Sequence, residues 1–144
     1  MKYLPFAATM VLLSAPVYAE GDAANGEEIF NRQCSTCHVV ENEAGEILAG
    51  RASHVGPNLY GVVGRAPGTY PEFNYGDSLV AYGATEVVWG EENLVGYMQD
   101  PTDFLRTALD DRRARGKMAF QLRDPQDAAD VYAFLATFAT PAAE

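Results

Sequence analysis

Apolar positions in this chain recur at helical spacing in several short stretches, and no segment alternates convincingly over a strand length. Across residues 22–33, Gly26, Ile29, Phe30 and Gln33 share one face, with Asp22 placed as N-cap and Glu27 and Glu28 in an early turn. The Gly inside that helix implies a close backbone approach. A short helix is expected over 77–82 and a longer one over 90–100, where Leu94, Tyr97 and Met98 share a face and Pro101 ends the run. Residues 102–113 give another, with Thr102 as N-cap and Phe104, Leu105, Ala108 and Leu109 apolar. The clearest helix is the last, 125–140. Asp124 caps it, Pro125 fits its first position, and Val131, Phe134, Leu135 and Phe138 form its face. The Gly26–Phe30 face is the obvious partner.

Between these stretches the chain reads as loop. Residues 39–53 are polar and irregular, with His54 at their end. Gly56-Pro57-Asn58-Leu59 is a turn signal. Residues 68–75 carry Pro71, Tyr70, Phe73 and Tyr75; proline argues against a central strand, and loop aromatics need a surface to pack on. The expected class is all-α: short helices and loops wrapped around something large and flat.

The N-terminus sets a compartment. Met1-Lys2 gives a positive start, residues 3–15 are mostly apolar, Pro16 breaks them, and Val17-Tyr18-Ala19 resembles a small-residue cleavage signal. The run is too short for a spanning helix and reads as a signal peptide, residues 1–19, cleaved after Ala19; an uncleaved anchor is the alternative. The remainder, 20–144, has the length of one domain and no internal repeat, and its expected address is an oxidising periplasm. The formal charge is -10, which argues against nucleic acid and anionic lipid as partners and favours solubility.

Candidate chemistry centres on Cys34-Ser35-Thr36-Cys37-His38. Two thiols at this spacing followed by an imidazole form the attachment pattern for one c-type haem. Each thiol can add to a porphyrin vinyl group, and His38 then offers a ring nitrogen to iron. A thioredoxin-like dithiol lacks its βαβ context, zinc lacks ligands in a chain with two Cys and two His, and a plain disulfide remains as a third alternative. The Pro57 carbonyl is placed to accept the Nδ1–H of His38. Arg65 is a candidate partner for a haem propionate, as is the indole N–H of Trp89, the only Trp.

The sixth iron ligand has two methionine candidates after the leader, Met98 and Met118. Met98 sits on an amphipathic helix and reads as core filling. Met118 lies in a Gly-containing loop that can aim a side chain, which favours it. His54, giving a bis-His iron, is the remaining option. Arg112, Arg113, Arg115 and Lys117 make the one basic run.

Gly26-Glu27-Glu28-Ile29-Phe30, the Cys34–His38 motif, Gly56-Pro57-Asn58-Leu59, Tyr75, Trp89, Tyr97, Pro101, Lys117-Met118 and the Phe134 helix stand in an order that resembles the class I c-type cytochromes. That group contains mitochondrial cytochrome c and bacterial cytochrome c2, and the long stretch between Pro101 and Met118 is similar to the latter. The resemblance implies the class I cytochrome c fold, with one haem c joined to Cys34 and Cys37 and ligated by His38 and Met118. It implies a His38–Pro57 bond, a crossing of helices at Gly26 and Phe134, a propionate held by Tyr75 and Trp89, and Tyr97 near the Met118 sulfur. Its lysine-ringed haem edge is not matched here, since Lys117 is the only Lys after the leader.

The function so implied is a soluble periplasmic monohaem electron carrier. Its donor would be a cytochrome bc1-type quinol oxidoreductase. Its acceptor would be a terminal oxidase, a photosynthetic reaction centre or a denitrification enzyme. Docking would be transient, by a monomer, through Arg112, Arg113, Arg115 and Lys117. A haem enzyme or gas-binding cytochrome with a labile sixth ligand is the alternative.

Overall fold

The computed structural model describes residues 20–140. The expected leader with its cleavage after Ala19, and residues 141–144 of the expected domain, lie outside the described residues.

Helix α1 (Ala23–Ile29) begins where the Asp22 carboxylate accepts the N–H groups of Ala24 and Asn25. The expected helix over 22–33 is not α-helical to its end: it widens into a π-helical turn, Phe30–Cys34. There the Ser35 N–H reaches back to the Phe30 carbonyl at 2.9 Å, and the Ser35 hydroxyl donates to Asn31 O at 2.6 Å. Such turns concentrate at functional sites because the extra residue re-aims the side chains around it.

The expected loop at 39–53 contains a hairpin. Strand β1 (Val39–Glu41) pairs antiparallel with β2 (Ile47–Gly50), with an irregularity between Val40 and Glu41. The Asn42 side chain closes the turn by accepting from Ala44 and Glu46, each at 3.0 Å. The strands are too short, and the register too broken, for a period-2 pattern to show. Val39 and Val40 are both fully buried, so adjacent positions lack the expected alternation.

Helix α2 (Asp77–Gly83) leads to α3 (Glu91–Gln99), whose Asn93 side chain accepts the Gly90 N–H at 2.8 Å. Helix α4 spans Pro101–Ala108, not 102–113. Its cap is Asp100, which accepts from Asp103, with Pro101 in the first turn and not Thr102 at the cap. The helix stops early because Asp110 turns the chain with a φ of 49° and Ala114 is drawn into the core. Helix α5 (Pro125–Ala136) is capped by Asp124 as expected and ends before 140, with the Thr137 hydroxyl on the Phe134 carbonyl. Among the described residues, no helix is long and apolar enough to cross a membrane.

The frame is the crossing of α1 over α5, with α3 packed on α5, α4 on α3 and α2 on α4. A Cβ on Gly26 would lie 2.0 Å from the Asp130 carbonyl oxygen and 2.9 Å from Phe134 Cβ, so only glycine lets the backbones meet. Beside that contact Phe30 and Phe134 pack with ring centroids 5.5 Å apart. Asp130 is 3% exposed and ties the chains together: its carboxylate accepts from Asp22 N at 2.8 Å, Asn25 Nδ2 at 2.6 Å and Gln126 Nε2 at 2.9 Å. Burial opposes its charge, but the three donors outweigh it and hold its pKa below the usual carboxylate value.

Two predictions follow from this crossing. Gly26→Ala forces the helices apart and lowers stability by at least ~1–3 kcal/mol; an unchanged denaturant midpoint by far-UV circular dichroism would contradict the packing. Asp130→Asn costs about 1–3 kcal/mol at neutral pH, the scale of hydrogen bonds to a charged group. A depressed folded pKa stabilises above the unfolded value near ~3.9, so the gap between wild type and variant narrows as pH falls below about 4. Paired melts across that range read the narrowing.

Candidate haem site

The π-helical turn delivers Cys34 to the wall of a cavity of about 690 Å³, within the ~300–1,000 Å³ typical of cofactor pockets. Cys37 and His38 line the same cavity, positioned by a tight turn in which both N–H groups donate to the Cys34 carbonyl. The walls between are apolar: Phe30, Leu59, Leu79, Leu94, Val131 and Leu135 all face it. Both cysteines are free, so the disulfide alternative is not formed. Burial, helped by the neighbouring Cys37, pushes the Cys34 thiol up to about 11.

His38 is fixed from two directions. Its Nδ1 lies 2.9 Å from the Pro57 carbonyl oxygen, which can only accept, so Nδ1 carries the proton and Nε2 keeps its lone pair. Burial lowers the His38 pKa, with the Pro57 bond opposing, so the ring is neutral at pH 7 as a metal ligand must be. Gly56 supports the ring from its flat side: a Cβ there would lie 2.4 Å from His38 Cε1. The Gly56 N–H donates to the Cys37 carbonyl at 2.7 Å, tying the turn to the motif.

Sequence reasoning gave no role to Asn58. Its Nδ2 donates to Glu41 O at 2.7 Å, and its Oδ1 accepts from Glu41 N and Tyr60 N, each at 3.0 Å. This buried amide staples the Pro57 turn to β1 and so holds the acceptor for His38 in place. The available signal was an Asn directly after Gly-Pro, a residue type that readily bonds local backbone.

Arg65, Tyr75, Trp89 and Tyr97 also line the cavity. Gly64 N–H donates to Trp89 O at 2.8 Å and Trp89 N–H to Arg65 O at 2.9 Å, which locks the two residues together. The Arg65 guanidinium donates to Tyr60 O at 3.0 Å and Asn58 O at 3.2 Å, and it lies 5.2 Å from the Tyr70 ring centroid. Its charge is therefore held at the cavity edge and not free in solvent. Burial disfavours that charge, and Tyr75 and Tyr70 partly offset the cost. Burial, with Tyr75 adding, pushes the Tyr97 hydroxyl up to about 12. Trp89 and Tyr97 pack with centroids 5.1 Å apart, and Phe104 backs them edge-on to Tyr97 at 5.9 Å.

Both methionines line the cavity. Met98 is 8% exposed, on α3 within the core cluster, whereas Met118 lies on the irregular segment between α4 and α5 and only packs against that cluster. His54 is exposed and does not line the cavity. Of the basic run, Arg112, Arg113 and Arg115 are exposed and outside the cavity lining, while Lys117 lines it. Arg113 reaches Asp111 at 3.4 Å, an open surface pair.

The residues present suit a haem: two thiols and a neutral imidazole from one turn, a thioether donor, an apolar interior, and a cation with aromatic N–H and O–H groups in the same lining. Comparison with known proteins agrees. The family model described as Cytochrome c matches residues 23–139. A cytochrome c2 of Rhodovulum adriaticum is 51% identical over 121 residues, covering 84% of this chain and 95% of the relative. A cytochrome c-551 of Roseobacter denitrificans is 47% identical over 128 residues, covering 89% and 88%. Among solved structures, cytochrome c2 from Rhodobacter sphaeroides is similar with a TM-score of 0.81 and 44% identity, covering 85% of this chain and 100% of that one. Ferric cytochrome c-550 from Paracoccus versutus has a TM-score of 0.77 and 41% identity, covering 84% and 100%. These matches and the cavity lead to one conclusion: the chain belongs to the cytochrome c family, with the class I fold and covalently attached haem c, and is an electron-transfer protein.

Proposed function

We propose that the protein is a monomeric periplasmic shuttle, delivered by cleavage of residues 1–19 and carrying single electrons between membrane or periplasmic redox complexes. The observation that carries this reading is the convergence of Cys34, Cys37, His38 and Met118 on one apolar cavity. Cys34 and Cys37 hold the cofactor through thioethers. His38 binds iron through Nε2, kept basic by the Pro57 carbonyl. Met118 fills the sixth position with a soft sulfur, which raises the potential relative to a second His. Bound haem supplies a reversible one-electron change at iron.

The apolar lining would keep water from that change, and with both His38 and Met118 as ligands no place on the metal would be left for a substrate. Arg65, Tyr75 and Trp89 would hold the propionates, and Tyr97 lines the same cavity as Met118. One electron enters from a quinol-oxidising complex and one leaves to an oxidase, a reaction centre or a denitrification enzyme. The exposed Arg112, Arg113 and Arg115 steer docking onto an acidic patch of these partners.

Three outcomes are expected. Met118→Ala in the holoprotein abolishes the long-wavelength thioether–iron band and admits carbon monoxide to the ferrous form; retention of the band would remove Met118 from the ligand set. Gly56→Ala presses on the His38 ring and costs about 1–3 kcal/mol of holoprotein stability. Denaturation with proton spectra of the His38 ring would read both the loss and the displacement. Charge reversal at Arg112, Arg113 and Arg115 together slows reaction with a purified quinol–cytochrome c oxidoreductase by about tenfold or more at low salt. The deficit shrinks as the screening length falls toward ~3 Å near 1 M; stopped-flow rates insensitive to the reversal would rule out steering by this run.

A further inference from the structure

Lys117 has the look of a docking charge, yet its ammonium is engaged within the chain. It donates to the Asn74 backbone carbonyl and lies 5.1 Å from the centroid of the Phe73 ring. One residue earlier, the Gly116 N–H donates to Thr102 Oγ1 at 3.0 Å. A Cβ on Gly116 would lie 2.7 Å from Pro101 Cβ, so the backbone here presses on the first turn of α4. The two residues directly before Met118 are thus gripped by two separate elements, α4 and the 68–76 loop.

What these grips restrain is a partition. Met118 and Ala119 line the haem cavity, and both also line a second cavity of about 420 Å³ bounded by Thr102, Arg106, Gly116 and Gln121. Met118 is only partly buried at the margin of the core cluster and borders the second cavity, so it lacks the close packing that fixes a fully buried side chain. Its position therefore also depends on discrete bonds, and Thr102 and Lys117 supply the two nearest to Met118.

We propose that Thr102 and Lys117 are positioning residues for the sixth ligand, pinning the Met118 partition and so setting how readily an outside ligand replaces its sulfur. The proposal rests on Met118 being that ligand. An outside ligand binds iron only when Met118 has moved, so its apparent affinity scales with the displaced fraction. Each net hydrogen bond holding the partition lowers that fraction by about 2–10-fold. The Thr102 bond is partly shielded and has the larger effect; the Lys117 bond is exposed to solvent and sits at the low end.

The test titrates ferric holoprotein with imidazole and follows loss of the thioether–iron band, with global denaturation by far-UV circular dichroism measured beside it. Thr102→Val tightens apparent imidazole binding about 3–10-fold and Lys117→Met about twofold. Thr102→Ser and Lys117→Arg, which keep the donor or acceptor, stay near wild type. Met118→Ala, measured by imidazole binding directly, gives the unrestrained limit. Unchanged affinity in Thr102→Val, with Met118→Ala still binding much more tightly than wild type, overturns the positioning role and leaves Met118 as ligand. Equal affinity in wild type and Met118→Ala overturns Met118 as ligand. A tightening matched by an equal loss of global stability makes Thr102 a structural residue only and also overturns the proposal.

Discussion

Among the described residues, no helix is long enough to hold itself: the longest, α5, has 12 residues, and isolated helices of that length are marginal in water. They persist because their apolar faces have somewhere to go, and much of that surface faces the haem cavity and not another helix. Phe30, Trp89, Leu94, Val131 and Leu135 are buried core residues and also line the cavity. A polypeptide of this length, wrapped around a space of about 690 Å³, has left the middle of its core to the cofactor. Covalent attachment suits that arrangement, since a tethered group stays at high effective concentration beside the apolar faces that cover it.

The two sides of the cavity are built on different physical terms. On the His38 side, the ring is trapped between Gly56 and the Pro57 carbonyl, and the Pro57 turn is stapled to β1 by a buried amide, Asn58. That side derives from the α1–α5 frame and the hairpin, which are packed and satisfied. On the Met118 side, a segment without helix or strand runs between two cavities and is held by single bonds from Thr102, Asn74 and Ser78. In the proposed ligation, the imidazole would come from a rigid wall and the thioether from a pinned one.

Much of this was legible in the chain. The Cys34–His38 spacing, the cap at Asp124 and the Gly26 face all described what forms, because each depends on local chemistry or on one period. The missing parts depended on contacts far along the chain. The hairpin escaped because Val39 and Val40 are buried together, against the alternation that marks a strand. Helix α4 was placed too late and too long because Asp100, and not Thr102, caps it; Thr102 puts its hydroxyl on Gly116 instead. Asn58 looked like any turn residue, and nothing local says that its amide spans to Glu41. Lys117 looked like a surface charge, and only the fold brings Asn74 and Phe73 to it.

The engagement of Lys117 also bears on how an acidic protein meets its partners. With a formal charge of -10, long-range attraction to an acidic surface has to come from a local patch. Lys117 keeps its charge, but its ammonium is tethered to the Asn74 carbonyl, so reach within that patch falls to the exposed arginines. Guanidinium is less strongly hydrated than ammonium and meets carboxylates in a two-pronged geometry, so a few arginines can orient a brief encounter that a lysine ring would achieve by number. These arginines sit on the same segment that carries Met118. In the proposed docking mode, the partner therefore presses on the pinned wall and leaves the rigid one untouched. The bonds from Thr102 and Asn74 would then keep the sulfur in place while the surface around it is being desolvated.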